Sequence, residues 1–130
     1  MALTTQQRLE IVIDSLVPAK LARFWADALT GYAIRPYDDE ELARLATMGL
    51  TPETDTGVAI DGDGPTLWFQ KTDHPKTQRN RLHFDICVEE RPAEVKRLRS
   101  LGATIRDEHD RHTVMLDLEG NEFCVIDASH

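Results

Sequence analysis

Apolar and polar residues alternate along several short stretches of the chain, as expected for strands that bury only one face. The alternation is clearest in "RLHFDICV", residues 81–88. One face of this strand would carry four apolar side chains, those of Leu82, Phe84, Ile86 and Val88. The other face would carry three chemically reactive side chains, those of His83, Asp85 and Cys87. A strand with this composition predicts either a solvated surface or the wall of a site.

Helical spacing of apolar residues appears in three segments that are bounded by capping residues. The segment "PAKLARFWADALTG" starts at Pro18, and "RPAEVKRLRSLG" has Pro92 near its start. A shorter segment, "DDEELARLATMG", has the capping-box pair Asp38 and Glu41. The remaining alternating stretches predict seven further strands, namely "RLEIVID", "YAIRPY", "TGVAID", "TLWFQKT", "ATIRDE", "HTVMLD" and "NEFCVID".

The order of these elements occurs twice. Pro18 matches Pro92, each after a strand, and "GYAI" matches "GATI" at the ends of the two helices. "DGDGPTLWFQ" matches "DLEGNEFCVI", with Gly64 on Gly120. The repeat predicts a duplicated α+β fold of two βαβββ modules, at about residues 8–72 and 80–127, within a single domain over residues 1–130.

Composition and charge restrict the function classes. The 130 residues are 41% hydrophobic and carry a net charge of −8, which disfavours binding to nucleic acid. No apolar run is long enough to cross a membrane, and the first residues lack the pattern of a secretory signal, so a cytoplasmic location is expected. The basic segment Lys71–Arg81 is interpreted as a solvated connector. Without signs of export, Cys87 and Cys124 are expected to be free thiols.

Under the repeat, Glu10 matches His83 and Trp68 matches Cys124, each on the strand face that points away from the helix. Four such positions, related by an approximate two-fold axis, would meet in a shared concavity. Trp68 supplies a large apolar face with one donor, which is typical of the wall of a ligand cavity.

The segments "RLHFDICV", "DLEGNEFCVID" and "LVPAKLARFWADALTG" resemble the glyoxalase-like branch of the vicinal oxygen chelate superfamily, which includes glyoxalases, bleomycin resistance proteins and dioxygenases. The resemblance extends from about Arg8 to Asp127. It implies two βαβββ modules forming a curved eight-stranded mixed sheet around a cavity, with the helices on the outer face. It also implies a homodimer.

Enzymes of this superfamily hold a divalent metal with His, Gln or Glu from four strands, so the resemblance implies ligand positions at Glu10, Trp68, His83 and Cys124. Glu10 and His83 are competent ligands for zinc, nickel, manganese or iron, whereas Trp68 is not. Cys124 stands where those enzymes usually have glutamate. Asp85, Gln70 and Glu122 are possible substitutes, but each would lie about 6–7 Å along its strand from the matched position.

Several residues keep two interpretations. His83 and Glu10 could be no more than a buried hydrogen-bonded pair, and Cys124 could be a packed residue or a nucleophile. His109 and His112 would be solvated, or one would turn inward at a cavity mouth. The helix at residues 38–49 would be a simple insertion between strands or a lid over the cavity.

Three functional hypotheses follow. The first is a small-molecule-binding protein without the usual metal centre, with its ligand held by Glu10, Trp68, Gln70, His83 and Cys124. The second is a metal-dependent lyase, isomerase or dioxygenase that acts on a small oxygen-rich metabolite, with Glu10 and His83 as metal ligands. The third is a metal-free enzyme that uses His83 or Asp85 as a general base. No nucleic-acid or membrane partner is expected.

Overall fold

The computed structural model describes residues 6–128, which form two compact units. The first unit ends at Thr72 and the second begins at Asp73. The elements of the first unit are β1 (Glu10–Ser15), α1 (Pro18–Ala28), β2 (Ala33–Ile34), α2 (Asp39–Thr47), β3 (Gly57–Asp61) and β4 (Thr66–Lys71). Those of the second are β5 (Phe84–Val88), α3 (Arg91–Ser100), β6 (Thr104–Glu108), β7 (His112–Leu116) and β8 (Glu122–Asp127). The predicted α+β class and the two βαβββ modules are confirmed.

Both units contain a four-stranded mixed sheet with the same topology. The strand order is β1-β4-β3-β2 in the first unit and β5-β8-β7-β6 in the second. In each unit the first and last strands are parallel neighbours and the other pairs are antiparallel. The register repeats as well, because Val12 lies opposite Trp68 and Asp85 lies opposite Cys124.

Each sheet buries one face against its helix. In the first unit Trp25 of α1 and Phe69 of β4 are almost completely buried. In the second unit Leu98 of α3 and Phe123 of β8 have no exposed surface. Burying one such side chain stabilises the fold by roughly 1.5–3 kcal/mol, so these contacts fix which face of each sheet remains available for a site.

The helix boundaries follow from local chemistry. The Asp38 carboxylate accepts a hydrogen bond of 2.8 Å from the backbone N–H of Glu41, which caps α2 as the sequence predicted. Gly102 follows α3 with a φ of 115°, a conformation that costs glycine little. Among residues 6–128 no helix is long and apolar enough to cross a membrane.

Two strands are shorter than predicted by three residues or more. β5 begins at Phe84 rather than Arg81, so His83 lies just before the strand and Leu82 is 66% exposed. β2 contains two residues, because Pro36 follows closely and cannot donate a ladder hydrogen bond. The alternation within β5 is as predicted: Phe84, Ile86 and Val88 are partly buried while Asp85 and Cys87 are exposed.

Candidate functional site

Three different donor groups come together on the face of the second sheet that points away from α3. They belong to His83, Asp85 and Cys124, and one ligand atom of each lies within 4.8 Å of the others. The parallel pairing of β5 with β8 places Asp85 directly opposite Cys124, and His83 is two residues before Asp85 on the same face. The sheet register therefore creates the cluster from residues that are about forty positions apart in the chain.

Asp85 is the central member of this cluster. One of its carboxylate oxygens lies 3.4 Å from Nδ1 of His83. The same carboxylate lies near the Cys124 thiol, with ligand atoms within 4.8 Å. Burial of Cys124, and after it the neighbouring Asp85, raise the pKa of the thiol. In the metal-free protein Cys124 is therefore held as a thiol, and its reactivity as a nucleophile is low.

The cluster forms part of the wall of a pocket of about 510 Å³ in the second unit. Val114 and Ile126 supply an apolar floor. The polar walls include the guanidinium groups and imidazoles of four further residues, Arg79, Arg106, His109 and His112. The lining is therefore mainly polar and charged, and Val114 and Ile126 are its aliphatic members.

Glu122 connects this pocket to the loop that precedes β5. Its carboxylate accepts hydrogen bonds from the Asn80 backbone N–H at 3.0 Å, from Lys76 Nζ at 3.2 Å and from Arg106 Nη1 at 3.3 Å. Burial alone would raise the pKa of Glu122, but the bonds from Asn80 and Lys76 outweigh it, so the pKa is lowered. Glu122 is thus already engaged by donors and holds the segment before His83 against β8.

The basic segment Lys71–Arg81 differs partly from the predicted solvated connector. Most of its residues are exposed, including Arg79 and Arg81. Lys76 and Asn80 are partly buried because they bind Glu122. The segment therefore has a structural role that its composition alone did not reveal.

In the first unit, Arg35 occupies the face of Trp68. The guanidinium carbon lies 5.0 Å from the centre of the indole ring, a cation–π contact. Two hydrogen bonds, of 2.8 and 2.9 Å, join Arg35 to Asp61, and Thr66 donates a further one of 2.6 Å to Asp61. The bonds from Arg35 and then Thr66 hold the pKa of Asp61 at about 2. Trp68, expected to be a bare apolar wall, is thus covered by a paired cation.

The helix α2 has no counterpart among residues 73–128 of the second unit. Glu41 and Arg44 of this helix, with Tyr37 and Trp68, line a cavity of only about 90 Å³. Tyr37 donates a hydrogen bond of 2.7 Å to the buried Asp55, and burial followed by this bond raises the pKa of the phenol. The equivalent space in the first unit is therefore largely filled, whereas the second unit keeps an open pocket.

The predicted site residues fall into two groups. His83, Asp85 and Cys124 form the cluster of the second unit. Glu10, Trp68 and Gln70 belong to the first unit, where Glu10 lies opposite Thr66 and Gln70 is exposed at the end of β4. Glu10 accepts a hydrogen bond of 3.4 Å from Arg8. The role of each residue in binding or catalysis remains a prediction.

His109 and His112, at the hairpin between β6 and β7, form a pair. Their rings are stacked with centroids 4.5 Å apart, and both line the 510 Å³ pocket. His109 is exposed and His112 is partly buried. The pair was predicted either to be solvated or to turn one ring toward a cavity. Each interpretation holds in part, because the two rings line the pocket while His109 is exposed to solvent. Cys87 and Cys124 are free thiols, as predicted.

A family model described as "Glyoxalase-like domain" matches residues 10–126. The chain belongs to the glyoxalase-like domain family. The predicted membership of the glyoxalase, bleomycin resistance protein and dioxygenase superfamily is thereby confirmed. No curated protein matches this glyoxalase-like chain by sequence.

Solved structures share the glyoxalase-like fold at low sequence identity. A hypothetical protein, SA1046 from S. aureus, is 16% identical over 95% of both chains, with a TM-score of 0.67. The fosfomycin resistance protein FosX from Mesorhizobium loti is 9% identical over 95% of this chain and 92% of its own, with a TM-score of 0.65. The trypanothione-dependent glyoxalase I of Leishmania major is 17% identical over 96% and 88%, with a TM-score of 0.61.

The donor chemistry does not fit the four-position metal centre that the sequence resemblance implies. Trp68 has no atom that ligates a metal, and its ring is covered by Arg35. Cys124 brings sulfur rather than a carboxylate, and Glu122 is engaged by Lys76 and Asn80. The glyoxalase-like chain instead has a local set of nitrogen, oxygen and sulfur donors in its second unit that could hold a cation.

Proposed function

We propose that this protein is a small-molecule-binding member of the glyoxalase-like family that lacks the family's usual metal centre. The observation that carries the proposal is the 510 Å³ pocket of the second unit, with its apolar floor and the cluster of His83, Asp85 and Cys124 in its wall. The volume lies in the range of small-molecule sites.

The pocket lining favours a small polar ligand that both donates and accepts hydrogen bonds. Arg79 and Arg106 offer donors, whereas Asp85 offers an acceptor. Val114 and Ile126 would contact the apolar part of such a ligand. Enclosure by these two side chains supplies affinity, and the polar groups supply selectivity.

A thermal-shift screen of a polar fragment library tests this proposal, because a ligand that binds only the native state raises the melting temperature. Val114→Phe fills the pocket and should abolish the shifts. Val12→Phe adds the same side chain to an exposed position of β1 in the first unit and should leave them unchanged. If no fragment shifts the wild type, or if Val114→Phe responds like the wild type, the pocket is not the binding site.

The contact between His83 and Asp85 supports a second candidate, a metal-free enzyme that uses His83 as a general base. A carboxylate 3.4 Å from Nδ1 orients the imidazole and leaves Nε2 free to accept a proton from a ligand. Fragments found in the screen, and related compounds, would be tested for turnover. Loss of turnover with retained binding in His83→Gln supports the enzyme. Binding without turnover in the wild type supports the first proposal.

Family membership supports three subsidiary proposals. The chain would act as a single domain, since the family model extends across both units. It would form a homodimer, as expected from the resemblance, and it would function in the cytoplasm. Light scattering coupled to size-exclusion chromatography tests the dimer, and a mass equal to one chain would exclude it.

A further inference from the structure

A second cavity of the second unit, with a volume of about 680 Å³, lies between α3 and the strands β6 and β7. It is on the helix side of the sheet, because Thr113 of β7, a buried residue, lines it. The 510 Å³ pocket is lined by Val114, which points to the opposite face. The two cavities share only His109, at the hairpin. We term the larger cavity the outer groove; its lining includes Pro92, Val95, Lys96, Arg99, Ile105 and Glu108.

The outer groove exists because α3 packs on its sheet with fewer apolar residues than α1. Counted from the matched prolines at the two helix starts, Lys96 corresponds to Ala22 and Arg99 corresponds to Trp25. Ala22 and Trp25 are buried, whereas Lys96 and Arg99 are exposed. A solvated cation does not fill the space that a buried indole fills, so a gap remains beside α3. Two residues of α3 are buried, namely Val95 and Leu98.

Arg91, at the start of α3, closes one end of the outer groove and is fully engaged. Its Nε donates a hydrogen bond of 2.8 Å to the Asp127 carboxylate. Its Nη1 donates to Thr113 Oγ1 at 2.9 Å and to the His109 carbonyl at 3.2 Å, and its Nη2 donates to the Asp110 carbonyl at 2.6 Å. The charge of Arg91 is therefore paired within the protein, and the charge of the groove depends on the other side chains.

These other side chains give the groove a positive charge. Among residues 6–128, neither Lys96 nor Arg99 forms an ion pair, whereas Arg97 of the same helix pairs with Glu94. Glu108 is the only acidic residue among the described residues that line the groove. Two unpaired cations thus face one carboxylate, in a chain whose net charge is −8. A local positive field of this kind attracts small anions.

We propose that the outer groove binds a small organic carboxylate that has an apolar body. The carboxylate would lie at Lys96 and Arg99, since a guanidinium group matches the two oxygens of a carboxylate. The apolar body would contact Val95 and Ile105. The volume of about 680 Å³ is in the range of small-molecule sites. The proposal does not rest on the function proposed for the 510 Å³ pocket, because the two cavities lie on opposite faces of the sheet.

The probe for the test is 4-phenylbutyrate, which joins a carboxylate to an aromatic ring by a short alkyl chain. The full chain is titrated with this compound in a calorimeter. We expect saturable binding that weakens when the salt concentration is raised from about 50 to about 500 mM, because salt screens the two cations. The neutral 4-phenylbutanamide has nearly the same shape and should bind at least roughly tenfold more weakly.

Charge variants assign the binding to the outer groove. Lys96→Gln and Arg99→Gln should each weaken the binding of 4-phenylbutyrate by roughly three- to tenfold. Glu108→Gln should strengthen it, because this substitution removes the carboxylate that opposes the ligand. Lys20→Gln makes the same charge change at an exposed position of α1 in the first unit and should bind like the wild type.

The location of the bound probe is checked in two ways. Val114→Phe fills the 510 Å³ pocket and should leave the affinity for 4-phenylbutyrate unchanged. If this variant does not fold, amide chemical shifts of the wild type replace it. Shift changes at Lys96, Arg99 and Ile105 support the outer groove, whereas changes confined to Val114 and Cys124 contradict it.

Four results overturn the proposal. The first is the absence of 4-phenylbutyrate binding to the folded wild type, and the second is equal binding of the amide. The third is an unchanged affinity in both Lys96→Gln and Arg99→Gln. The fourth is loss of binding in a folded Val114→Phe variant, which would assign the carboxylate to the other pocket.

Discussion

Asp85 and Cys124 are direct partners on the parallel strands β5 and β8, and the carboxylate and the thiol have ligand atoms within 4.8 Å of each other. The same carboxylate contacts His83, so one acidic side chain lies between a thiol and an imidazole. The arrangement keeps both the sulfur and the ring nitrogen oriented toward a common point. It also raises the pKa of the Cys124 thiol in the protein without a ligand.

This relationship predicts slow alkylation of Cys124 in the native protein. Burial and the charge of Asp85 raise the pKa of the thiol, and only the thiolate reacts. At pH 7 iodoacetamide should modify the exposed Cys87 before Cys124, as measured by peptide mass spectrometry. Asp85→Asn should accelerate the reaction of Cys124 by roughly two- to tenfold, because it removes the charge that opposes the thiolate. An unchanged rate in this variant would contradict the proposed electrostatic effect.

The ion pair between Arg35 and Asp61 predicts a pH-dependent contribution to the stability of the first unit. The pKa of Asp61 falls from 3.8 to about 2 on folding, so its contribution is complete above 3.8 and is lost as the pH falls through 2. The two side chains are 38% and 43% exposed, so solvent screening reduces the effect to about 1 kcal/mol. Asp61→Asn should lower the free energy of unfolding by this amount at pH 7.

Urea unfolding at several pH values measures this difference. The difference in the free energy of unfolding between Asp61→Asn and the wild type should become smaller between pH 3.8 and pH 2. Asp63→Asn, an exposed aspartate in the same hairpin, is the control and should match the wild type at every pH. If this difference in free energy stays constant with pH, the substitution acts through packing rather than through the loss of the ion pair.

The engagement of Glu122 predicts that its loss loosens the loop before His83. Glu122→Gln keeps the size of the side chain but removes the charge that binds Lys76 and Arg106. We expect a destabilisation of about 1–2 kcal/mol and faster amide hydrogen exchange at Asn80. Hydrogen-exchange mass spectrometry checks the loop, and Glu108→Gln on the exposed strand β6 serves as the control. Equal exchange in both variants would show that Glu122 does not order the loop.

The turn between β7 and β8 depends on the buried side chain of Asp117. Its carboxylate accepts hydrogen bonds of 2.8 and 3.0 Å from the backbone N–H groups of Glu119 and Asn121. Asp117→Ala leaves these donors without their acceptor, so the free energy of unfolding should fall by about 1–3 kcal/mol in urea titrations. Asp110→Ala, in the exposed turn between β6 and β7, should change it by less than about 0.5 kcal/mol. A loss of the same size in both variants would contradict the role of Asp117.

Much of the fold is predictable because short stretches of the sequence determine the helices and strands. Alternation identified every strand, and the matched positions of Gly64 and Gly120 identified the repeat. The ends of strands were less predictable, since backbone pairing decides them. β5 begins at Phe84 because the preceding loop is held by Glu122, a contact between residues that are distant in the sequence.

The sequence predicted which residues belong to the candidate site, but it did not predict which of them lie close together. Strand periodicity placed His83 and Asp85 on one face, and the repeat singled out Cys124. The register between β5 and β8, which joins Asp85 to Cys124, is a tertiary property with no local signal. The contact of Arg35 with the Trp68 ring was missed for the same reason, since it depends on the pairing of β2 with β3 and of β3 with β4.

The helix α2, present in only one of the two units, has an evolutionary consequence. Duplication of a βαβββ module gives two equivalent surfaces, and selection needs to maintain chemistry on only one of them. In this chain the first copy has Trp68 under Arg35 and residues of α2 around a small cavity, whereas the second copy keeps reactive groups beside open space. The two copies, which share one topology, therefore differ in the space and in the donor groups that they offer to a ligand.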